Sequence, residues 1–238
     1  MDFKYQGIIL SKKDVGETDR IYTIYTLEAG KIKALAKSVR RPTAKLAGNL
    51  EPVTFSEIFV AKSRGMGKIT GALAVKNFSK IKSNLEALSQ ASFAFQIIEK
   101  LISDSEKDEK IFNLILKYLL VMENLKGEGV NNKKKILTLG FLFKLLGESG
   151  YQLEVGKCAD CGEKLKPENN YFSSSRGGIL CEKCSGKESN KIRIKNESIK
   201  FIRIFLKNKL ENLIKLHSSK ENLKDLGIIL ENFLIAHL

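Results

Sequence analysis

Four cysteines, grouped in two close pairs, are the residues of this chain whose types and spacing most directly predict chemistry. They form a CxxC-x19-CxxC pattern made of Cys158, Cys161, Cys181 and Cys184. Two turns of this kind direct four thiolates toward one point, which is the tetrahedral shell that zinc prefers in proteins. A shell closed by protein ligands leaves no position for a substrate. The pattern therefore predicts one structural Zn²⁺ and no catalytic metal.

The cysteine pattern also allows other interpretations, namely an iron–sulfur cluster, paired disulfides or two redox CxxC motifs. The N-terminal sequence MDFKYQGIIL lacks the basic and apolar regions of a secretion signal, so we expect a reducing, cytoplasmic location in which disulfides are rare. Lysines interrupt the apolar stretches before any of them reaches the ~20 residues of a membrane span. We therefore expect no membrane partner.

Positive charge is the second chemical signal. The chain carries 41 Lys and Arg against 27 Asp and Glu, a formal net charge of +14. The charge is densest in residues 1–80, which hold 15 basic and 7 acidic side chains. Such an excess indicates a polyanionic partner such as nucleic acid. The alternative is compositional bias, because Lys outnumbers Arg by 34 to 7.

Within this basic region, six cations lie on a predicted strand and the loop that follows it. We expect them to line one groove that contacts phosphates, although a solvated polar face is the alternative for any single lysine. The six are Lys31, Lys33, Lys37, Arg40, Arg41 and Lys45. Three nearby aromatic residues, Tyr22, Tyr25 and Phe55, have the spacing either of base-stacking groups or of strand residues in a core.

No set of residues predicts catalysis. The GMGK segment at 65–68 lacks the earlier glycine and the Ser/Thr of a phosphate-binding loop. The chain has 2 histidines, and neither adjoins a nucleophile in the sequence. We therefore predict that the protein is not an enzyme.

The elements that must position these residues change character along the chain. Five short strands, predicted at 5–12, 20–27, 31–36, 52–61 and 68–75, indicate a small closed barrel. Helical periodicity follows at 83–102, 111–122, 131–146, 196–216 and 219–237, with Ser83 as one N-cap and Ser218 with Glu221 as a capping box. We predict an α+β protein with a barrel domain at 1–78 and a helical domain at 79–238. The cysteine module is inserted in the helical domain at about 155–187.

Two stretches carry a resemblance to a known family. DRIYTIYTLEAGKIKALAKSVRRP at 19–42 and LAGNLEPVTFSEIFVAKSRGMGKIT at 46–70 resemble the N-terminal domain of the bacterial RecO family of recombination mediators. The β-rich start, the helical remainder and the late cysteine module are similar to that family over essentially the full chain. The resemblance implies an OB-fold barrel, followed by a helical domain with a zinc-ribbon-like insertion held by the four cysteines.

The resemblance also implies a function in DNA repair and recombination. Members bind single- and double-stranded DNA, anneal complementary strands and help to load RecA onto DNA coated by single-stranded-DNA-binding protein. Their partners are RecR, the single-stranded-DNA-binding protein and, indirectly, RecA, in a bacterial cytoplasm at the nucleoid. The family has no tight DNA-contact motif, so the six cations above rest on charge and spacing. Two alternatives remain: a zinc-containing RNA-binding factor, or a protein-interaction scaffold.

Overall fold

The computed structural model describes residues 2–42, 44, 46–61, 65–167 and 169–237. By their internal contacts the residues form two compact units, Met1–Asn124 and Leu125–Leu238. Among the described residues, no helix combines the length and the apolar character that a membrane crossing requires.

Five strands of the first unit close into a barrel in the order β1-β2-β3-β5-β4. All five predicted strands are present, with ends that differ from the prediction by a few residues. Neighbouring strands are antiparallel except β3 and β5, which meet in parallel. The strands are β1 Asp2–Val15, β2 Asp19–Thr26, β3 Gly30–Ala36, β4 Thr54–Ala61 and β5 Gly67–Lys76.

Alternation along these strands separates a buried interior from an outer surface. Tyr22 and Ile24 of β2 are fully buried in the barrel core, where they meet Ala34 of β3. The long strand β1 pairs with β2 at one end and with β4 at the other. Its register shifts between Ile9 and Ser11, and such a bulge bends a strand sharply enough to help close a small barrel.

Gly30 begins β3 in a conformation that only glycine adopts without strain. Its φ is +66°, and an added Cβ would lie 2.0 Å from the carbonyl oxygen of Glu106. Ser105 donates its backbone N–H to the Lys31 carbonyl oxygen at 2.7 Å. The segment that contains Ser105 and Glu106 is therefore held along the edge of β3, where Asp104 forms a bridge with Lys31.

The described part of the first unit also contains the α-helices α1 Ser79–Lys82, α2 Leu85–Leu101 and α3 Glu109–Glu123, and a short 3₁₀ helix at Ala47–Leu50. The predicted cap of α2 is wrong by one residue. Asn84 accepts the Ala87 N–H through its side chain, whereas Ser83 ends α1 in a helical conformation. A residue that already terminates one helix lacks the extended backbone of an N-cap. Asp108 caps α3 by accepting two backbone N–H groups.

The second unit combines helices with a three-stranded sheet in the order β7-β6-β8. Helix α4 packs against α6, and the rings of Phe143 and Phe205 lie 6.0 Å apart between them. The elements are α4 Val130–Glu148, β6 Asn170–Ser173, β7 Gly178–Leu180, α5 Glu182–Ser185, β8 Lys191–Ile194, α6 Asn196–Lys207, α7 Leu210–Leu213 and α8 Lys220–His237.

Two expectations about the last helices are corrected. The helix predicted at 196–216 is divided, because Asn208 has extended backbone angles, and it continues as the short α7. The predicted capping box is wrong: the Ser219 hydroxyl accepts the Asn222 N–H at 3.1 Å. A capping box requires the Glu221 carboxylate to accept the backbone N–H of the N-cap residue, but this carboxylate pairs with Lys195.

Candidate functional site

The structure brings the four cysteines into one cluster. The sulfurs of Cys158, Cys161, Cys181 and Cys184 all lie within 4.8 Å of one another, and all four are free cysteines. The Cys161 and Cys181 sulfurs are 3.9 Å apart. Tetrahedral zinc with ~2.3 Å bonds to sulfur requires sulfurs about 3.8 Å apart. The cluster therefore has the donor set and the spacing to hold one metal ion.

Local backbone structure places each pair of thiols. In the first pair, Gly162 adopts φ +75° and donates its N–H to the Cys158 carbonyl at 2.9 Å, which closes a tight turn. In the second pair, Cys181 is the N-cap of α5 and Cys184 lies within that helix. The Cys181 N–H donates to the Cys158 sulfur at 3.4 Å, so a hydrogen bond joins the two halves of the cluster.

The thiols differ in their readiness to ionise. Burial alone would raise the pKa of Cys158, but backbone N–H groups of Cys181, Cys161 and Asp160 lower that pKa to about 6. Burial, followed by hydrogen bonds with the other thiols and with Asp160, raises the pKa of Cys184. Without a metal ion, the cluster therefore favours ionisation of Cys158 and disfavours ionisation of Cys184. A bound cation would favour the thiolate form of all four cysteines.

Two ion pairs lie beside the cluster. Arg176 lies 3.3 Å from Asp160 and 3.8 Å from Glu188, measured between charged atoms. The Ser175 hydroxyl donates to Glu188 at 3.0 Å and, as the largest influence, lowers the pKa of that carboxyl. Groups of this kind orient a ligand-bearing turn from outside the ligand shell.

The position of Lys31 differs from the prediction that it contacts DNA. Its side chain is 7% exposed, and Nζ donates to the Glu99 carbonyl at 2.6 Å and lies 3.2 Å from Asp104. Its ammonium therefore tethers the end of α2 to the barrel and is not presented to solvent. Alternation in the sequence put Lys31 on the outer face, but it could not reveal that a helix covers that part of the face.

Four of the other predicted cations are exposed. Lys33 lies on β3, 3.7 Å from Asp104, and Lys37, Arg40 and Arg41 lie in the loop after β3. The sixth residue, Lys45, lies outside the described residues.

Acidic side chains fix the start of this loop. Asp19 accepts the Ser38 N–H at 2.7 Å, and that hydrogen bond is the main reason that its pKa is lowered. Arg40 pairs with Asp14 at 3.4 Å and donates to the Gly16 carbonyl at 3.2 Å. The loop cations are thus held beside the β1–β2 turn.

Strand register adds two cations that the sequence did not indicate. Lys13, Ile21, Leu35 and Lys68 form one row across β1, β2, β3 and β5. Both lysines are exposed and both apolar side chains are half-buried. The charged pair belongs to distant parts of the chain, so only the pairing of strands brings them into one row. We call the following exposed cations, which lie on the barrel strands and in the loop after β3, the basic wall: Lys13, Lys33, Lys37, Arg40, Arg41 and Lys68.

Tyr22, Tyr25 and Phe55, the three aromatic residues with the spacing of base-stacking groups, make packing contacts within the first unit. Tyr22 and Tyr25 are fully buried, and Tyr25 donates its hydroxyl to the Asp108 carbonyl at 3.3 Å. Phe55 packs edge-on against Phe112 with ring centres 6.1 Å apart. The core interpretation is therefore confirmed for the fully buried Tyr22 and Tyr25, whereas Phe55 is half-buried.

Comparison with known proteins gives a consistent relationship over the whole chain. The family model "Recombination protein O N terminal" matches residues 1–78, and "Recombination protein O C terminal" matches residues 82–238. A protein of Dehalococcoides mccartyi named DNA repair protein RecO is 32% identical over 95% of this chain and 87% of its own length. Proteins of that name from Desulforamulus reducens and Alkaliphilus metalliredigens are each 26% identical, covering 99% and 100% of this chain and 90% and 94% of their own lengths. The chain therefore belongs to the RecO family of recombination proteins.

Proposed function

We propose that this RecO-family protein acts in DNA repair as a non-catalytic recombination mediator. It binds single- and double-stranded DNA, anneals complementary strands and helps to load RecA onto DNA coated by single-stranded-DNA-binding protein. RecR and the single-stranded-DNA-binding protein are its proposed partners, together with RecA indirectly. The four-cysteine cluster holds one structural Zn²⁺ in a zinc-ribbon-like module. Family membership and the names of the relatives support this proposal.

The observation that carries the proposal is the basic wall of a closed five-stranded barrel. The order β1-β2-β3-β5-β4, with β3 and β5 in parallel contact, is the arrangement we propose to be an OB-fold. OB-folds bind oligonucleotides on the face of their second and third strands, and here that face carries Ile21, Lys33 and Leu35. The cations would contact phosphates, and the two apolar side chains would contact the less polar sugars and bases.

The same surface accounts for annealing without an energy source. Two complementary strands repel each other through their phosphates, and bound cations reduce that repulsion when both strands lie on one protein surface. Phosphate contacts carry no sequence information, so any complementary pair would be accepted. Base pairing between the strands would then supply the specificity.

The test is a charge reversal in the loop, Lys37→Glu with Arg41→Glu, because both side chains are exposed. Each phosphate contact on single-stranded DNA contributes about −0.7 to the slope of log affinity against log salt. The double variant should bind single-stranded DNA at least about tenfold more weakly and show a slope flatter by about 1.4, because two phosphate contacts are lost. Fluorescence anisotropy of a labelled oligonucleotide over a range of salt concentrations measures both quantities.

Lys200→Glu with Lys207→Glu on α6 is the matched control, since it changes the net charge equally at two exposed positions. Equal losses in both variants with unchanged slopes would contradict binding at the basic wall. Tighter binding of RNA than of DNA would favour the RNA-binding alternative. Salt-independent association, or none, would favour the scaffold alternative.

A further inference from the structure

A carboxylate lies among the cations of the first unit, at the edge of β3. Asp104 has one oxygen 3.2 Å from the Lys31 ammonium and the other 3.7 Å from the Lys33 ammonium. Lys31 is buried, whereas the side chains of Asp104 and Lys33 are both exposed. The buried cation therefore anchors the carboxylate, and the second carboxylate oxygen is presented to a cation of the basic wall.

The connection between α2 and α3, residues 102–108, holds Asp104 in this position. Asp104 forms a parallel bridge with Lys31, and the next residue, Ser105, donates its N–H to the Lys31 carbonyl at 2.7 Å. At the far end of the connection, the Asp108 carbonyl accepts a β2 tyrosine hydroxyl at 3.3 Å. An ordinary surface ion pair loses side-chain entropy when it forms. Here the carboxylate is already fixed by the backbone and by Lys31, so less entropy is lost when it pairs with Lys33.

The end of β1 carries a second carboxylate with the same arrangement. One oxygen of Asp14 accepts the Arg20 Nε–H at 2.7 Å, and the other oxygen lies 3.4 Å from Arg40 Nε. Arg20 is opposite Asp14 in the pairing of β1 with β2, and its side chain is less exposed than that of Arg40. A strand-held cation again anchors one oxygen, and the other oxygen pairs with a cation of the basic wall.

We propose that Asp104 and Asp14 are internal phosphate surrogates, which hold Lys33 and Arg40 in the free protein and exchange with DNA phosphates on binding. Carboxylate and phosphate oxygens both accept charge-assisted hydrogen bonds from such cations. A phosphate contact at these two cations therefore replaces an existing ion pair. The competition lowers affinity for DNA and speeds its release. This inference rests on the proposed binding of DNA to the basic wall.

Exchangeable contacts are suited to the proposed annealing of complementary strands. Two strands must shift against each other on the protein until their bases are in register, and phosphate contacts are the same in every register. A carboxylate that recaptures its cation whenever a phosphate leaves shortens each contact. A bound strand can then move along the surface without complete dissociation.

The test is a double-mutant cycle on Asp104 and Lys33 in the full chain. Asp104→Asn removes the charge and keeps the shape of the side chain. We expect it to tighten binding of a labelled single-stranded oligonucleotide about two- to fivefold, the range of a surface ion pair, and to slow dissociation. In the Lys33→Met background the same substitution should leave affinity nearly unchanged, because its effect acts through Lys33. Fluorescence anisotropy gives the affinities, and a stopped-flow chase with unlabelled DNA gives the dissociation rates.

A second cycle and a matched control accompany the first. Asp14→Asn with Arg40→Met repeats the design at the other carboxylate, and it decides the question if Asp104→Asn does not fold. Glu57→Gln is the control, because Glu57 pairs with Lys4 at 2.9 Å on the same barrel and Lys4 is not part of the basic wall. The control should leave DNA affinity and dissociation unchanged.

The outcomes separate this inference from the proposed function. If Lys33→Met weakens binding but neither Asp104→Asn nor Asp14→Asn tightens it, the surrogates are refuted and the DNA surface stands. An equal gain in Glu57→Gln, or a gain from Asp104→Asn that persists with Lys33→Met, would also overturn the proposal, because the charge would then act only through the general field. If Lys33→Met and Arg40→Met both leave affinity and salt slope unchanged, the basic wall itself is refuted as the DNA site, and the surrogates with it.

Discussion

Asp19 links folding to the position of the loop cations. Its carboxylate accepts the Ser38 N–H at 2.7 Å, so its pKa in the folded protein lies below the ordinary value of 3.8. A lowered pKa means that the charged form stabilises the fold above pH 3.8 and that this contribution is lost as the pH falls through the folded pKa. Asp19→Asn removes the charge at every pH.

We therefore expect Asp19→Asn to lower the melting temperature near neutral pH and to differ progressively less from the unmodified protein below pH 3.8. Thermal unfolding followed by circular dichroism at a series of pH values measures the difference. A constant difference between neutral pH and about pH 3 would mean that the Asp19 charge contributes nothing to stability.

Lys31 and Lys33 lie two residues apart on one strand and have different roles. Lys31→Met keeps most of the buried side-chain volume but leaves the Glu99 carbonyl without its donor. We expect a loss of about 1–3 kcal/mol of unfolding free energy and an unchanged salt slope for DNA binding. Urea unfolding and a salt titration of DNA affinity give the two readouts.

Lys33→Met is the internal control, because its side chain is 51% exposed. It should change stability by less than about 0.5 kcal/mol and flatten the salt slope by about 0.7. If Lys31→Met instead flattened the slope while stability was kept, the buried tether to α2 would be the wrong account of Lys31.

Strand pairing in the barrel brings residues that are distant in the sequence into one row. Lys13 of β1 and Lys68 of β5 flank the half-buried Ile21 and Leu35. We expect Lys13→Ala with Lys68→Ala to flatten the salt slope of single-stranded DNA binding by about 1.4, because two phosphate contacts are removed. Anisotropy at several salt concentrations measures the slope.

Lys100→Ala with Lys110→Ala removes the same charge from exposed positions on α2 and α3. This helical variant should lower affinity slightly and leave the slope unchanged. A similar slope change in both variants would show that DNA responds to the field of the whole first unit and not to the row.

On the scale of the whole molecule, we expect a bound metal ion to stabilise the local fold of part of the second unit only. The four cysteines connect the loop after α4 to β7 and α5, all within the second unit. We expect one zinc per chain by elemental analysis. Chelation, or Cys181→Ser with Cys184→Ser, should raise amide exchange across 155–187, because metal binding is coupled to local folding.

Exchange in the barrel is the control, since its core contains no metal ligand. The barrel should keep its protection, and DNA affinity should be retained. Less than about half an equivalent of metal in protein purified without chelators, or unchanged exchange across 155–187 in the cysteine variant, would contradict a structural metal.

Local patterns determined much of this protein in advance. Period-two alternation of β-branched and aromatic residues was enough to predict all five barrel strands, because each strand buries one face. The spacing of the cysteines was enough to predict one cluster of Cys158, Cys161, Cys181 and Cys184. Each CxxC pair is placed by a local turn, and the segment between the two pairs is short enough for the turns to lie side by side. The helix caps were less predictable, since Ser83, Ser218 and Ser219 offer similar hydroxyls and their backbone angles decide which of them caps a helix.

Only the tertiary structure decided which cations face solvent and which distant residues become neighbours. Lys31 and Lys33 have the same residue type and the same strand face, yet the end of α2 covers the first and not the second. Lys13 and Lys68 meet in one row through three strand registers. Burial and register depend on contacts between segments far apart in the chain, and a local pattern carries no record of those contacts.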